Sequence, residues 1–500
     1  MLPRTTVRTI DAAPVLAVPL DSTRLLICAE SFRGTREPMR FGSPRDISRY
    51  LERTGVGIPA WDAIDVAMRE GVPEVWLARL LGPAAASASV ALAGSSGTSF
   101  TIRAHEPGEW ANGAAGGLTA EVVNGPAGAS ERVVIIRRVT PPVGTGPVEV
   151  GRTTAETTRA DLIEAVERIG RVTLPNGTIR PFITVTAGAD ATLPAVAAAA
   201  NLAGGDSDSD GITSDHVRAA LDLVSRDEGP MSVAAPGRNT DATNEEILGH
   251  CSTHDRTALL EQASGLSVGT ITASAAVLRA LGSGAEGVPR LGGLWKDHLR
   301  GPGLVPGTTR TVPATIIVAG LIARLERSEG HPNVAPFGDF GVPRWATSIV
   351  SESTEADAET LFAAGCNVWG SYLGVPRNRT FRTLEAFGAS EWVDLGHTRL
   401  ERAVRAHARD VGRSMGSRVI NRTTIAEFGA RLRQRLELVW KAGALFGDTP
   451  DEAFRVDVDS VNDTTSIAAH EVNAAVGLRM AEHAEYVNVD LAKVPIGQEV

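Results

Sequence analysis

Arg24–Ala29 reads RLLICA and Val75–Leu81 reads VWLARLL. Apolar runs this short and continuous are strands covered on both faces, because a half-exposed strand would alternate polar and apolar residues. Such strands need helices above and below them, so these two stretches commit the chain to an α/β core. The residues between them supply the helices. Ser43, Pro44 and Asp46 form a helix start with proline at the first helical position, and the helix should run to about Glu52. Trp61–Glu70 carries a second helical pattern, giving the order strand, helix, helix, strand.

Five hundred residues exceed one ordinary core and suggest about three domains. From residue 94 to 186 the texture turns β-rich, with short alternating runs such as VVIIRRV, a hairpin dipeptide at Asn176-Gly177, and one helical pattern at Arg159–Ile169. This reads as an inserted domain. The small-sided AVAAAANLAGG should lead back to the α/β block. That block resumes at Thr213 with a helix to Val224, a strand at Met231–Ala235, a helix from Asn244, a strand at Val268–Thr272 and an apolar run at Ala314–Leu321.

At the C-terminal end a helical pattern stops at Gly447 and Phe454, Val456 and Val458 alternate as a strand. Further alternation follows at Val472, Ala474, Val476, Leu478 and Met480, then at Val487, Val489 and Leu491. Sheet edges left open at a chain end invite another strand. The first twenty residues, containing Thr6-Val7-Arg8-Thr9-Ile10 and interrupted by Pro14 and Pro19, read as an arm that must dock elsewhere.

A net charge of −10 argues against general nucleic-acid binding, which needs a basic excess. Cys28, Cys251 and Cys366 are too few and too scattered for a disulfide framework, and reduced thiols fit best. No signal-peptide core and no run of 18 apolar residues occurs, so a cytosolic chain without a membrane partner is expected.

The catalytic and ligand motifs fail in context. DSDSDG, Asp206–Gly211, opens like a calcium loop, but Val217 stands where the closing carboxylate belongs, leaving a solvated loop that starts a helix. GSGAEG follows a helical pattern and precedes Val288-Pro289, so it reads as a loop rather than a dinucleotide turn. GRSMG around Ser414 lies in helical sequence, not in a strand-to-helix elbow. His250 and His254 lack a third zinc ligand and read as two partly exposed histidines. No catalytic, metal or cofactor site is expected.

One feature survives. Leu400, Val404, Ala408, Val411 and Met415 share one helical face, and Arg399, Arg402, Arg405, Arg409 and Arg413 share the other. The next helix, with Ile425, Phe428, Leu432, Leu436 and Val439 inward, adds Arg431, Arg433 and Arg435. Two readings stand: a solvated face balanced by Glu401 and Asp410, or an interface for an acidic partner, whether another protein or, as in a nucleic-acid-binding virion protein, a nucleic acid.

Several segments, in order, resemble contractile tail sheath proteins of phages and related injection machines. They are SFRGTREP with FGSPRDISRYLERTG; PGEWANG, where Ala111 stands for the family's Gly; LAGGDSDSDG; AAPGR; TVPATIIVAGLIARLERSEGHPNVAP; AAGCNVW; and GALFGDTPDEAFRVDVD. The resemblance implies an α/β and α+β multidomain fold with extended terminal arms. Its parts would be an N-terminal arm (1–22), an α/β sheath domain (23–93 and 187–345), an inserted β-rich outer domain (94–186), a C-terminal tube-facing α+β domain (346–484) and a C-terminal extension (485–500). It also implies a non-enzymatic protein without cofactors that polymerises with itself as stacked hexameric rings around a tail tube protein. Such a protein meets baseplate and tail terminator proteins, makes no direct contact with nucleic acid, and belongs to a virion tail assembled in the host cytoplasm. The arm Thr6–Ile10 would add a strand to a neighbour's sheet. Val472, Ala474, Val476, Leu478, Val487, Val489 and Leu491 would form the acceptor, and the two arginine-bearing helices would face the tube.

Overall fold

The computed structural model describes residues 22–51, 59–139, 148–173, 179–284, 287–385, 391–416 and 418–484. Its centre is a seven-stranded sheet in the order Cys366–Asn367, Gly292–Trp295, Thr257–Glu261, Ser232–Ala234, Leu25–Ala29, Val75–Arg79, Met39–Phe41. Six strands run parallel, and the edge strand Met39–Phe41 pairs antiparallel to Val75–Arg79. Leu25–Ala29 is buried along its whole length and divides its side chains between two cores. Leu25, Ile27 and Ala29 pack with the helices Pro59–Glu70 and Ala314–Glu329, while Leu26 and Cys28 pack under Ser214–Asp222, Asp241–His254 and Val268–Arg279. Helices on both faces are what a continuously apolar strand requires.

The two helices of the first face approach closely at Gly320, where an added Cβ would lie 2.1 Å from the Glu70 Cβ. Glu70 is itself buried, and its carboxylate accepts the Arg344 and Trp345 backbone N–H groups at 2.9 and 2.6 Å.

Four sequence expectations change. Val268–Thr272 is not a strand but the start of the helix Val268–Arg279, capped by Ser267, whose hydroxyl accepts the Thr270 N–H. Val268, Ile271, Ala275 and Leu278 recur at helical spacing on one core, which outweighs the β-branched character of the first turn. A short strand, Met39–Phe41, precedes the first helix. The alanine-rich stretch is a strand, Ala197–Asn201, on the edge of the inserted sheet beside Leu118–Gly125. Pairing in the β-rich part therefore runs from Ser89 to Asn201, wider than 94–186. Finally, Cys366–Asn367 completes the central sheet, so α/β structure continues past residue 345.

The inserted part has its own core of Phe100, Ile102, Trp110, Val122, Val134, Leu162 and neighbours, with the helix Arg159–Ile169 against its sheets. Arg171–Thr173 pairs antiparallel with Ile179–Pro181 on either side of the predicted hairpin dipeptide, which lies outside the described residues. The C-terminal part is built from the helices Leu395–Met415 and Arg422–Lys441 and a two-stranded sheet, Phe454–Asp457 with Ala475–Leu478. No helix among the described residues is long and apolar enough to cross a membrane.

Candidate functional site

The helix Leu395–Met415 carries the arginine stripe. Its apolar face packs as the spacing predicts: Leu400 and Val404 meet Leu436 and Val439, and Ala408, Val411 and Met415 meet Phe428 and Leu432. The arginine face does not look outward along its length. Arg399 is 1% exposed and Arg402 is 4% exposed. A buried guanidinium is tolerated only when paired and hydrogen-bonded, and here the α/β part supplies the partners. Arg399 donates to Glu326 Oε2 at 2.6 Å, to Ser232 Oγ at 2.8 Å and to Ser22 Oγ at 2.9 Å.

Further along the helix, Asp255 gathers four arginines. Arg402 lies at 3.1 Å and Arg405 at 3.2 Å, with Arg409 and Arg226 in direct ion pairs. Asp255 ends the helix Asp241–His254 with a left-handed backbone (φ 53°), which turns its buried carboxylate toward the stripe. Arg413 pairs with Asp227 at the rim. Arg399 and Arg402 are thus internal struts between the two parts of the chain, and they cannot present charge to a partner. Arg405 and Arg413 keep about half of their side-chain surface open, at 51% and 49%.

On the second helix, Arg431 donates to Glu427 at 2.6 Å and to Ser414 Oγ at 2.9 Å, and Arg433 donates to Asp451 at 2.8 Å. Arg435 is half-buried. His407 is held below its ordinary pKa, first by burial and then by the charge of Arg435.

The C-terminal sheet has two strands in the register Phe454↔Leu478 and Val456↔Val476. Among the described residues no third strand joins either outer edge. Val472 and Ala474 precede the strand and pack on the Val411–Phe428 core, Leu478 packs on the Leu400–Val439 core, and Val476 is exposed. Thr6, Val7, Arg8, Thr9 and Ile10, together with Val487, Val489 and Leu491, lie outside the described residues.

Both ends of the described chain are fastened to the first two turns of the stripe helix. At the N-terminal root, the Ser22 N–H and hydroxyl donate to Glu326 Oε1 at 2.9 and 2.8 Å, beside Arg399. Burial pushes the Glu326 carboxyl up, and Arg399 and Ser22 act against that shift. At the C-terminal root, His397 donates to the Ala481 carbonyl at 3.0 Å, and His483 Nδ1 meets the helix-capping Asp394 at 2.5 Å. Asn333 Nδ2 donates to the Ala481 carbonyl at 2.9 Å. Sequence reasoning missed these anchors. The signals present were an acid ending the apolar run of Ala314–Glu326 and a capping Asp394 directly before the stripe.

The remaining motifs fall as follows. Ser414 Oγ donates to the Val411 carbonyl inside the last helical turn, with no elbow around it. GSGAEG follows the helix Val268–Arg279 and precedes a short 3-10 turn at Pro289–Leu291. In DSDSDG, the Asp206 and Asp208 carboxylates accept the Asp208 and Ala84 N–H groups before the helix Ser214–Asp222. His250 is fully buried rather than partly exposed, stacks on His254 at 4.1 Å, and meets a third group, Asp222, at 2.6 Å. Asp222 lies on a separate helix 28 residues away, too far along the chain for any spacing pattern to link it to His250.

A parallel sheet clothed by helices, interrupted by a β-rich insertion and followed by two helices and an open-edged sheet, makes a multidomain α/β and α+β fold. No family model matches the chain, and no curated protein matches it in sequence. Solved structures match it nearly end to end. A sheath tail protein from Listeria innocua aligns at a TM-score of 0.59 and 10% identity over 92% of this chain and 95% of that one. A chain of the anti-feeding prophage baseplate in its contracted state aligns at 0.58 and 15% identity over 100% of both chains. A chain of the PVC sheath complex, an extracellular contractile injection system in its contracted state, aligns at 0.55 and 11% over 99% and 98%. The chain has the fold of the contractile tail sheath proteins.

Proposed function

We propose that this chain is the sheath subunit of a contractile tail or injection machine, a structural protein without catalysis. Its subunits stack as six-membered rings around an inner tail tube and shorten together to drive that tube through a target envelope. The observation that carries this reading is the end-to-end match with sheath proteins, with a C-terminal sheet whose outer edges are unpaired among the described residues. Rigid bodies that rotate past one another need links that persist, and main-chain strand pairing on arms provides them. Residues Thr6–Ile10 are the donor arm. The sheet around Val472–Leu478, extended by Val487–Leu491, is the acceptor. The tube-facing role falls to the arginines that keep open surface: Arg405, Arg413, Arg431, Arg433 and Arg435. Exposed pairs worth about 0–1 kcal/mol each let a sheath release a tube and slide. Tail tube, baseplate and terminator proteins are the partners, and the particle is a tail assembled in a host cytoplasm. An injection system or a phage-derived bacteriocin, rather than an infectious phage, is the second reading, favoured by full coverage of both chains in the anti-feeding prophage match.

Negative-stain microscopy of the purified chain at high concentration tests this. Rings or tubes are expected from the full chain, and folded subunits that do not polymerise from a chain lacking residues 1–20. Monomers under all conditions from the intact chain would overturn the reading, and loss of folding on deletion would show that the arm pairs within its own chain.

A further inference from the structure

Two clusters of imidazole and carboxylate groups occur among the described residues: Asp222 with His250 and His254, and Asp394 with His397 and His483. The first is closed. His250 is fully buried, its Nε2 faces the Arg256 guanidinium at 2.8 Å, and its ring is covered by His254. A cation placed there would meet a fixed positive charge.

The second cluster is open on one side, although His397 is itself buried and Arg382 and Arg479 also line the groove. It lies in an open groove of about 900 Å³ lined by Asp394, His397, Met480, Glu482 and His483. One donor atom from each of Asp394, His397 and His483 falls within 4.8 Å of the others, and Asp394 Oδ2 and His483 Nδ1 are 2.5 Å apart. A fourth donor is at hand, because Glu482 Oε2 is 3.8 Å from His397 Nε2 on an exposed side chain that is free to swing. Tetrahedral zinc, with bonds of about 2.0–2.1 Å, holds its donors about 3.3 Å apart. Shifts of roughly an ångström on the terminal segment 481–484 would reach that spacing.

The surroundings also suit a metal. His483 Nδ1 is held against the helix-capping Asp394 Oδ2 at 2.5 Å, and a carboxylate on one nitrogen of an imidazole fixes the direction of the ring. Asn333 is 3% exposed and its Oδ1 has no partner. A Cβ on Gly396 would touch that oxygen at 2.9 Å, Asp394 Oδ1 at 3.0 Å and His483 Cε1 at 3.1 Å, so an unsatisfied acceptor faces the same small space. Only glycine at 396 leaves that space open.

We propose that Asp394, His397 and His483, completed by Glu482, form a site for a divalent first-row transition metal of the zinc type that locks the root of the C-terminal extension onto the first turn of the helix Leu395–Met415. Two imidazoles and two carboxylates favour such ions over magnesium or calcium, which take oxygen ligands. Bound metal takes the place of the protons now held by these groups, including the His397 Nε2 proton donated to the Ala481 carbonyl at 3.0 Å, so that contact is exchanged for a metal bond and residues 481–484 rearrange against the helix start.

The test is isothermal titration calorimetry of the full chain, without a histidine tag, against zinc chloride, with magnesium chloride as the contrast ion. One saturable zinc site per chain is expected, insensitive to magnesium. His483→Gln and His397→Ala should each weaken it on the order of 10–100-fold or more, and His254→Ala should leave it unchanged. Zinc should also slow tryptic cleavage after Arg479 in the parent chain and not in His483→Gln. Because His483 lies on a terminal segment, its variant is checked by circular dichroism and still reports if His397→Ala fails to fold. The proposal is overturned by absence of saturable zinc binding, by unchanged affinity in His483→Gln, by loss of binding in His254→Ala, or by equal binding of magnesium. The soluble subunit is measured, so the outcome is independent of polymerisation.

Discussion

Arg399→Met separates a buried strut from an outward-facing arginine. Arg399 is buried, and its removal leaves the Glu326 carboxylate in the interior with only the Ser22 donors. Breaking a buried ion pair from one side costs about 3–5 kcal/mol, most of it the stranded charge. Arg405→Ala and Arg413→Ala remove exposed members of the same stripe and should cost about 0–1 kcal/mol. The double variant Arg399→Met/Glu326→Gln strands no charge, so it should recover much of the loss. The assay is urea unfolding followed by tryptophan fluorescence, at pH 5 and pH 8. In Arg399→Met the Glu326 pKa, already raised by burial, rises further. A group whose folded pKa lies above its unfolded value loses stability as pH increases toward the folded value, so the deficit should be larger at pH 8 than at pH 5. If Arg399→Met costs no more than Arg413→Ala, the guanidinium is outside and the strut is refuted.

Two further outcomes are expected. Gly320→Ala gains helix propensity but drives a methyl group into Glu70, and a net loss of about 1–3 kcal/mol in thermal unfolding is expected; a variant as stable as the parent would refute the close helix contact. Glu261 is buried and its Oε1 accepts the Gly237 N–H at 2.7 Å; burial pushes its carboxyl up to about 8 from an ordinary 4.5. The unfolded chain releases this proton between those values, so the parent loses stability as pH rises. Glu261→Gln should be near neutral at pH 5 and stabilising by up to about 4 kcal/mol at pH 8, and parallel stability–pH curves would refute it.

Much of the fold was legible because the information was local. Continuous burial of Leu25–Ala29 and the cap and spacing of Arg159–Ile169 are set by neighbouring residues, and both elements stand where the pattern places them. Val268–Thr272 was misread because β-branched residues dominate its first turn, while the deciding contacts of Ala275 and Leu278 come later. The Ala197–Asn201 strand carried no apolar signal because it lies exposed on a sheet edge. For the arginine stripe, helical spacing gave the two faces correctly but could not say which way the charged one points. Its partners Glu326 and Asp255 lie 73 and 147 residues upstream. A sequence shows that five arginines share a side, and only the fold shows what that side meets.

Ser22 and Ala481, at the two roots, grip the same helix within its first turns, through Arg399 and His397. That helix is a rod of 21 residues, about 30 Å long. A tug on either terminus is therefore delivered to one end of one lever rather than spread over separate domains. Two neighbours hauling on the two termini in different directions would apply a torque there, turning the rod about its Asp255 pivot instead of stretching the subunit.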